Sequence, residues 1–287
     1  MRGKTCLVTG ANAGIGREIV AGLAAQGARV LMVCRHRGRA EEAIDRVRRS
    51  VPAADLELVL ADLSRLRSIR ALAEDVERRT DRLDVLVSNA GAFNARRRET
   101  EDGFEATFAV NHLAPFALVG GLLDLLRASA PSRVVVVASA AHRRGEIDFD
   151  DLQGRRRYRG WWAYAQSKLA NVLFAAELAR RLPAAEVTAN SLHPGVVATK
   201  LLLRGIVPGW MARPWTITPE EGSRTPLYVA TAPGLEGISG QYFDDCRPTD
   251  PSAEARDGAA AARLWAVSEE LTQVGTYQRG SLEQGHR

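Results

Sequence analysis

A tyrosine and a lysine, Tyr164 and Lys168, stand four positions apart in the stretch YAQSK. The surrounding apolar pattern predicts a helix over residues 161–182, so both side chains lie on one helix face. A free tyrosine has a pKa of about 10, and a neighbouring ammonium favours the phenolate and lowers that value. The pair therefore predicts a tyrosine that exchanges a proton with a substrate oxygen.

The lysine is unusual for this composition. Of the 39 lysine and arginine residues, only three are lysines: Lys4, Lys168 and Lys200. A compact ammonium on a flexible stem hydrogen-bonds a sugar hydroxyl more readily than the planar arginine fork does. The alternative is that Lys168 is an ordinary exposed lysine of the helix. Its occurrence here instead of an arginine would then be chance.

A glycine-rich turn follows the first predicted strand. The stretch TGANAGIG carries Gly10, Gly14 and Gly16 between the strand TCLVT and a predicted helix. Glycine lets the backbone approach a ligand closely, and a helix N-terminus offers free N–H groups to a pyrophosphate. This context predicts a dinucleotide phosphate site, with a purely structural turn as the alternative.

The end of the second predicted strand indicates which dinucleotide binds. An acidic residue there would bond the ribose hydroxyls of NAD, but the stretch CRHRGR has no carboxylate before Glu41. Arginine suits a 2′-phosphate, so we predict NADP(H), with Arg35 as the main ligand and Arg37 or Arg39 assisting. Because arginine is abundant throughout the chain, the missing acid is the stronger indication of NADP(H).

Short β-branched runs alternate with longer amphipathic stretches along the chain. Strict alternation predicts an α/β fold with a doubly wound parallel sheet and helices on both faces. We expect a single domain over residues 1–275, followed by a flexible polar tail at 276–287. Strands are predicted at 5–9, 29–34, 56–60, 83–87, 133–138 and 186–192, and helices at 15–26, 38–50, 64–79, 101–129, 161–182, 219–231 and 252–271.

The composition excludes several other classes. The net charge is +5, but the arginines are scattered apart from runs at 96–98 and 155–159, so a solvated basic surface is favoured over nucleic-acid binding. Three cysteines cannot form a disulfide framework, and no apolar run approaches the roughly 20 residues of a membrane span. The five histidines show no ligand spacing, which predicts no metal site. We expect a cytoplasmic protein without a signal peptide or transmembrane segment.

Seven motifs follow one another along the chain: TGANAGIG at 9–16, DL at 62–63, NAG at 89–91, VNHLAPF at 110–116, VVVVAS at 134–139, YAQSK at 164–168 and HPGVVAT at 193–199. Taken together and in order, they resemble those of the short-chain dehydrogenase/reductase superfamily. The closer resemblance is to its retinol-dehydrogenase-like branch, which shares the stretch AYAQSKLANVLFAAELARRL and a long gap between Ser139 and Tyr164. We expect this protein, unlike many animal members, to lack a membrane-anchoring N-terminal segment.

The resemblance implies a Rossmann-type sheet of about seven strands and a role for each matching residue. Tyr164 would be the general acid, Lys168 would hold the nicotinamide ribose, Ser139 would bind the substrate oxygen and Asn111 would hold a relay water. Ser139 could instead merely end a strand, and Asn111 could cap or kink its helix. The predicted cofactor-binding residues are Gly10, Asn12, Gly14, Ile15, Gly16, Arg35, Arg39, Asp62, Leu63, Asn89, Ala90, Gly91, Tyr164, Lys168, Pro194, Gly195, Val197 and Thr199.

The resemblance also implies a substrate lid over residues 197–217, and this stretch is apolar and rich in aromatic residues. Such walls suit a bulky hydrophobic aldehyde or ketone, retinal-like or similar, with Leu202 and Trp210 in the lid and Trp161 at its mouth. The same residues could instead pack a subunit interface or touch a membrane. We expect carbonyl reduction and a homodimer or homotetramer, paired through the helices at 101–129 and 161–182.

Two other functions fit the sequence. One is a ketoreductase of secondary metabolism that acts on a polycyclic intermediate, and only substrate screening separates it from a general reductase. The other is a non-catalytic regulator that senses NADP. The presence of both Tyr164 and Lys168 disfavours the regulator.

Overall fold

An eight-stranded sheet runs through the part of the chain that the structure describes, residues 1–196 and 217–274 of a computed structural model. The strand order is β3-β2-β1-β4-β5-β6-β7-β8, and every neighbouring pair is parallel except β7–β8. The strands are β1 (Thr5–Thr9), β2 (Arg29–Cys34), β3 (Asp55–Leu60), β4 (Val85–Ser88), β5 (Ser132–Val137), β6 (Val187–His193), β7 (Tyr242–Asp244) and β8 (Arg247–Pro248).

Helices cover both faces of the sheet. A π-helical stretch, Ala109–Leu113, joins two of them and is called the π segment below. The helices are α1 (Gly14–Ala25), α2 (Arg37–Ser50), α3 (Leu66–Arg79), α4 (Ala106–Phe108), α5 (Ala114–Gly121), α6 (Leu123–Ala128), α7 (Gly160–Arg181), α8 (Pro219–Thr231) and α9 (Gly258–Thr272).

The strands separate two large apolar cores because successive side chains of a strand point to opposite faces. In β5, Val134 and Val136 join the core under α3, α5, α6, α7 and α9, whereas Val135 and Val137 join the core under α1, α2 and α8. This confirms the doubly wound sheet predicted from the near-continuous apolar strands.

The strand order reverses between β1 and β4, which lie side by side although two strands separate them in sequence. Ligands of doubly wound sheets bind beyond the carboxyl ends of the strands at such a switch point. The turns after β1 and β4 carry the predicted glycine loop and the NAG motif, so the topology brings these two motifs together.

Two predicted helix starts and the number of strands differ clearly from the structure. The helix predicted over 101–129 begins only at Ala106, because the buried Glu105 carboxylate accepts the N–H groups of Thr107 and Phe108 as an N-cap. It is then interrupted by the π segment. The last helix begins at Gly258 rather than 252, where the Asp257 side chain caps it. The two-residue β8 makes eight strands where about seven were expected.

Helix α7 is enclosed on all sides by its own chain. Twelve successive residues, 164–175, are buried, although a surface helix usually exposes one face. The C-terminal helix α9 packs along α7 and also reaches α5 and the π segment. Helix α9 thus covers part of the surface through which the sequence predicted pairing with a second copy. Within residues 1–196 and 217–274, no helix combines the length and apolarity that a bilayer span needs.

Candidate active site

The predicted proton-transfer residues meet at the carboxyl end of β5. Tyr164 lies in the second turn of α7, and Ser139 lies two residues beyond β5. The Ser139 side chain lies near enough to Tyr164 to lower the pKa of the phenol. The Tyr164 ring is 8% exposed, and its centroid lies 6.0 Å from that of Phe93 and 6.3 Å from that of Trp161. Asn111, Ser139, Tyr164 and Lys168 are called the tyrosine edge below.

Lys168 lies behind the tyrosine, as their spacing predicted. Its Nζ is 5.7 Å from the centre of the Tyr164 ring and donates to the Val137 carbonyl at 3.0 Å. Burial lowers the pKa of Lys168 to about 8. Burial also raises the pKa of Tyr164, and the nearby Ser139 side chain opposes that rise only in part. Burial thus shifts the pKa of Tyr164 in the direction opposite to the lowering expected from Lys168, because desolvation outweighs the effect of Ser139.

Two neutral histidines hold the turn that carries Ser139. The Ser139 carbonyl accepts the Nδ1–H of His142 at 2.7 Å, and Nε2 of the same ring accepts the backbone N–H of Ser252 at 3.2 Å. His193 Nδ1 accepts the N–H of Ala140 at 3.2 Å. Burial lowers the pKa of both rings. The backbone around Ser139 is therefore held partly by residues far away in sequence, while Ser139 Oγ itself accepts the N–H of Ala141 at 3.2 Å.

Asn111 lies in the π segment, and its side-chain amide makes three hydrogen bonds. Oδ1 accepts the Ala92 N–H at 2.6 Å, while Nδ2 donates to the Ala92 carbonyl at 3.0 Å and to Ser167 Oγ at 2.9 Å. A Cβ added at Gly91 would lie 3.7 Å from both Asn111 Oδ1 and Lys168 Nζ. Asn111 therefore lies beside Lys168, and the helix irregularity considered as its alternative role is also present.

The turns after β1 and β4 form a second, closely packed part of the cleft, residues 9–16 and 89–91, called the glycine edge below. Thr9 Oγ1 accepts the N–H groups of Asn89 and Ala90, each at 3.0 Å, and Asn89 Nδ2 donates to the Thr9 carbonyl at 2.9 Å. Gly10 has φ +65°. A Cβ on Gly16 would overlap the Gly10 carbonyl oxygen and come within 2.5 Å of Asn89 Nδ2. Only glycine fits these positions.

The start of α1 fits a phosphate group. Its N-cap residue, Ala13, makes no side-chain hydrogen bond to the first-turn N–H groups, and that turn carries no acidic residue. Ile15 packs on the core below, and Gly14 adopts φ +53°. The N-terminal amides and the positive end of the helix dipole are thus available to an anion, with Asn12 beside them in the loop.

The ends of β2 and β3 lie next to each other, since Cys34 pairs with Leu60. Arg35, directly after β2, is exposed, as is Arg39 in the first turn of α2. Burial alone would raise the pKa of Asp62, but hydrogen bonds from Ser64 and the charge of Arg35 bring it below its usual range. The neighbouring Leu63 packs against the core. The end of β2 therefore carries an exposed arginine where NAD enzymes place an acid.

Some predicted residues cannot be placed. Val197, Thr199, Leu202 and Trp210 lie outside the described residues, as does the predicted lid except for Ile217. Pro194 and Gly195 follow β6, and Gly195 adopts φ +84° with its Cα close to the Ile217 side chain.

A cavity of about 500 Å³ lies elsewhere, between α7, β7 and the beginning of α9. Its lining includes Glu177, Arg180 and Tyr242 but none of the predicted site residues. Glu177 is already paired with Arg180 and Arg181. The cavity therefore has no part in the site built by the tyrosine and glycine edges.

Sequence reasoning missed several residues that shape the site. Thr9 and Ser167 stand inside motifs that were noted, so the signal for them was present. Phe93 follows the NAG motif by two positions and forms the apolar wall at Tyr164. His142 carried no local signal, because its partners Ser139 and Ser252 meet only in the folded chain.

Comparisons with known proteins agree with this arrangement. Residues 4–204 match the model of a family described as short chain dehydrogenase. Retinol dehydrogenase 14 of Mus musculus is 46% identical over 292 residues, an alignment that covers 96% of this chain and 87% of the relative.

Solved structures lead to the same group. An uncharacterised protein from Mycobacterium paratuberculosis gives a TM-score of 0.77 at 36% identity, covering 95% of this chain and 94% of that one. The Pseudomonas aeruginosa RhlG/NADP active-site complex gives 0.69 at 27% identity, covering 85% and 94%.

Proposed function

The chain belongs to the short-chain dehydrogenase/reductase family, and we propose that it is an NADP(H)-dependent oxidoreductase that reduces bulky hydrophobic aldehydes or ketones. One observation carries the proposal: a buried tyrosine, with Ser139 near its phenol and a buried lysine behind it, lies beside a glycine-lined turn that fits a phosphate. A retinol dehydrogenase among the relatives supports the choice of alcohols and carbonyls as substrates.

The protonation state of Tyr164 suits carbonyl reduction. Its raised pKa keeps the phenol protonated at neutral pH, so it is ready to act as an acid. An alkoxide formed from a carbonyl is a far stronger base than a phenolate, so the proton moves to the substrate oxygen. Ser139, whose side chain lies near Tyr164, donates to the same oxygen and orients it. When bound, NADPH supplies the hydride.

Lys168 and Asn111 support that proton transfer. The Lys168 ammonium, 5.7 Å from the phenol ring, stabilises the phenolate left after the proton has gone. Asn111 holds the loop at Ala92 beside the lysine through two hydrogen bonds. We propose that it also holds the water through which Lys168 returns a proton.

The preference for NADP(H) rests on the end of β2. Arg35 and Arg39 are exposed there, and the stretch 34–40 contains no carboxylate to bond a ribose hydroxyl. Guanidinium groups bind phosphate through charge-assisted hydrogen bonds. A solved relative is an NADP complex, which supports the assignment for this chain.

The hydrophobic substrate class rests on the wall beside Tyr164. Phe93 and Trp161 lie within 6.3 Å of its ring, and the neighbouring Trp162 is 50% exposed. Apolar and aromatic walls with few polar groups favour lipophilic ligands. The ketoreductase of a polycyclic intermediate would use the same wall and is the second candidate.

The test is NADPH consumption by the purified protein across a carbonyl panel. The panel runs from short polar aldehydes through long-chain aldehydes to retinal and polycyclic ketones, and each is measured with NADPH and with NADH. We expect turnover to rise with apolar surface and NADPH to be preferred at least 10-fold, roughly the effect of losing one phosphate contact. Activity confined to small polar carbonyls would contradict the substrate class, and equal use of NADH would contradict the cofactor.

The single catalytic domain over 1–275, the cytoplasmic location and the homodimer or homotetramer stay predictions. A sedimentation measurement decides the oligomeric state directly.

A further inference from the structure

His112 follows Asn111 directly but has no part in the proposed chemistry. Its ring is buried among aromatic rings, with centroids 5.0 Å from Phe108, 6.3 Å from Phe116 and 6.2 Å from Phe174. Burial lowers the pKa of His112 to about 3. The ring is therefore neutral at any working pH, and it does not serve as an acid or a base.

The hydrogen bonds around His112 determine which ring nitrogen carries the proton. The single hydroxyl proton of Ser268 is donated to the Leu264 carbonyl at 2.7 Å. His112 Nε2 lies 2.8 Å from Ser268 Oγ, so the ring must donate and Oγ must accept. Nδ1 then carries a lone pair, and it has no hydrogen-bond partner among the described residues. The His112 ring thus makes one hydrogen bond, and this bond joins the π segment to α9.

Helix α9 reaches this position by apolar packing. Trp265 lies with its ring centroid 5.0 Å from Phe116 and 5.9 Å from Phe174, which joins α9 to both α5 and α7. The helix begins at Gly258, beyond residue 204 where the match to the general family ends. It therefore adds a support to the π segment that the matched stretch does not contain.

The π segment needs such a support. A π turn is rare and less favourable than α-helix, and it persists where the surrounding structure holds it, often at functional sites. On one side Asn111 is bonded to Ala92 and Ser167. On another side His112 is bonded to Ser268. Neighbouring residues of a helix point about 100° apart, so the two bonds hold the segment from different directions.

We propose that His112 and Ser268 form a positioning pair. The bond from His112 Nε2 to Ser268 Oγ holds the π segment against α9 and thereby sets the place of Asn111 beside Lys168. This inference rests on the proposed function, in which Asn111 serves the proton relay of Lys168.

The first test compares two buried serines, Ser268 and Ser129, whose hydroxyl groups make the same pattern of hydrogen bonds. Ser129, like Ser268, donates its hydroxyl proton to the carbonyl four residues earlier and accepts one N–H, from Leu83, but it lies at the opposite end of the sheet. Ser268→Ala should lower kcat for carbonyl reduction roughly 10-fold with both KM values within about two-fold, since it misplaces a relay group. Ser129→Ala should lower the melting temperature similarly and leave kcat within about two-fold.

A double variant separates positioning from stability. His112→Phe with Ser268→Ala replaces both polar partners by apolar groups of similar shape, a change that is nearly neutral for stability. The melting temperature should return close to that of the wild type, while kcat stays as low as in Ser268→Ala. A wild-type kcat in this double variant would overturn the proposal, as would an equal kcat loss in Ser129→Ala.

The protonation of each His112 ring nitrogen is measured directly by ¹⁵N NMR of the wild-type protein labelled at histidine. We expect His112 to carry its proton on Nε2 alone throughout pH 6–9, and Nδ1 protonation would overturn the pair whatever the activity. Failure of the proposed function looks different: the wild type would then reduce no carbonyl in the panel. Failure of the inference leaves an active wild type and an equally active Ser268→Ala variant.

Discussion

The glycine edge and the tyrosine edge of the cleft differ in structure: the first is formed by closely packed backbone, the second by buried polar side chains. At the glycine edge, backbone atoms approach so closely that a methyl group at Gly16 would overlap the Gly10 carbonyl. At the tyrosine edge, polar side chains are buried. Burial raises the pKa of Tyr164 and lowers that of Lys168, so it disfavours the charged form of each residue. Adding atoms should therefore damage the first edge, and removing polar atoms should stabilise the second while abolishing its function.

Lys168→Met tests the tyrosine edge most strongly. We expect kcat/KM for carbonyl reduction to fall about 10²–10⁴-fold, since the group that stabilises the phenolate is lost. The same change should stabilise the fold by on the order of 2 kcal/mol at pH 7, because a charge is no longer buried. Assays at saturating NADPH and chemical denaturation measure the two effects.

The sign of that stability gain follows from the pKa of Lys168, about 8 in the fold against 10.5 as its ordinary value. Between these values the unfolded chain binds more protons, so wild-type stability rises with pH. The advantage of the Met variant should be constant below pH 8 and fade toward pH 10.5. If Lys168→Met were less stable than the wild type at pH 7, the claim that the buried charge of Lys168 destabilises the tyrosine edge would be contradicted.

Gly16→Ala tests the glycine edge by adding one methyl group. The overlap with Gly10 should destabilise the fold by about 1–3 kcal/mol and weaken NADPH binding on the order of 100-fold, since a displacement near 1 Å is enough. Gly38→Ala is the matched control, because nothing lies within 4 Å of the added Cβ on the exposed side of α2. The control should be stabilising by about 0.5–1 kcal/mol, and equal losses in both variants would contradict the packing argument.

Arg35→Ser tests cofactor choice at the end of β2. Losing one phosphate contact should raise the KM for NADPH roughly 10- to 100-fold and leave the KM for NADH nearly unchanged. Arg48→Ser, an exposed arginine near the end of α2, is the control and should change neither value. A parallel rise in both KM values would show that Arg35 supports the fold and not the phosphate.

The pH dependence of the two reaction directions is a smaller and finer test. Burial raises the pKa of Tyr164 above 10.0, so the phenol stays protonated through neutral pH. Reduction should be nearly independent of pH below about pH 8 and decline above it, where Lys168 loses its charge, whereas alcohol oxidation should rise up to about 10-fold per pH unit because it needs the phenolate. Oxidation that levels off near pH 7 would show a lowered tyrosine pKa instead.

Much of the glycine edge and the doubly wound parallel sheet could be predicted from the sequence. Gly10, Gly16 and Asn89 form motifs whose function is local, and β5 is recognisable from its own apolar run. The tyrosine edge was only half predictable. Helical spacing places Tyr164 and Lys168 on one face, but their pKa values depend on burial that no local pattern shows.

The remaining features come from contacts distant in sequence. The bond between His112 and Ser268 spans 156 residues, and that between His142 and the Ser252 N–H spans 110. The π segment interrupts a stretch whose apolar pattern predicts unbroken helix. Glu105 caps α4 only because the fold buries its carboxylate, which is why the helix begins later than residue 101.

The central claim is that Tyr164 protonates the oxygen of a reduced carbonyl, and one paired measurement tests it most directly. NADPH affinity and single-turnover NADPH oxidation with retinal are compared in wild type, Tyr164→Phe and Tyr228→Phe, the last being a tyrosine on α8. The account predicts equal NADPH affinity in all three, full turnover in wild type and Tyr228→Phe, and a loss of at least about 100-fold in Tyr164→Phe. Undiminished turnover in Tyr164→Phe would contradict the account.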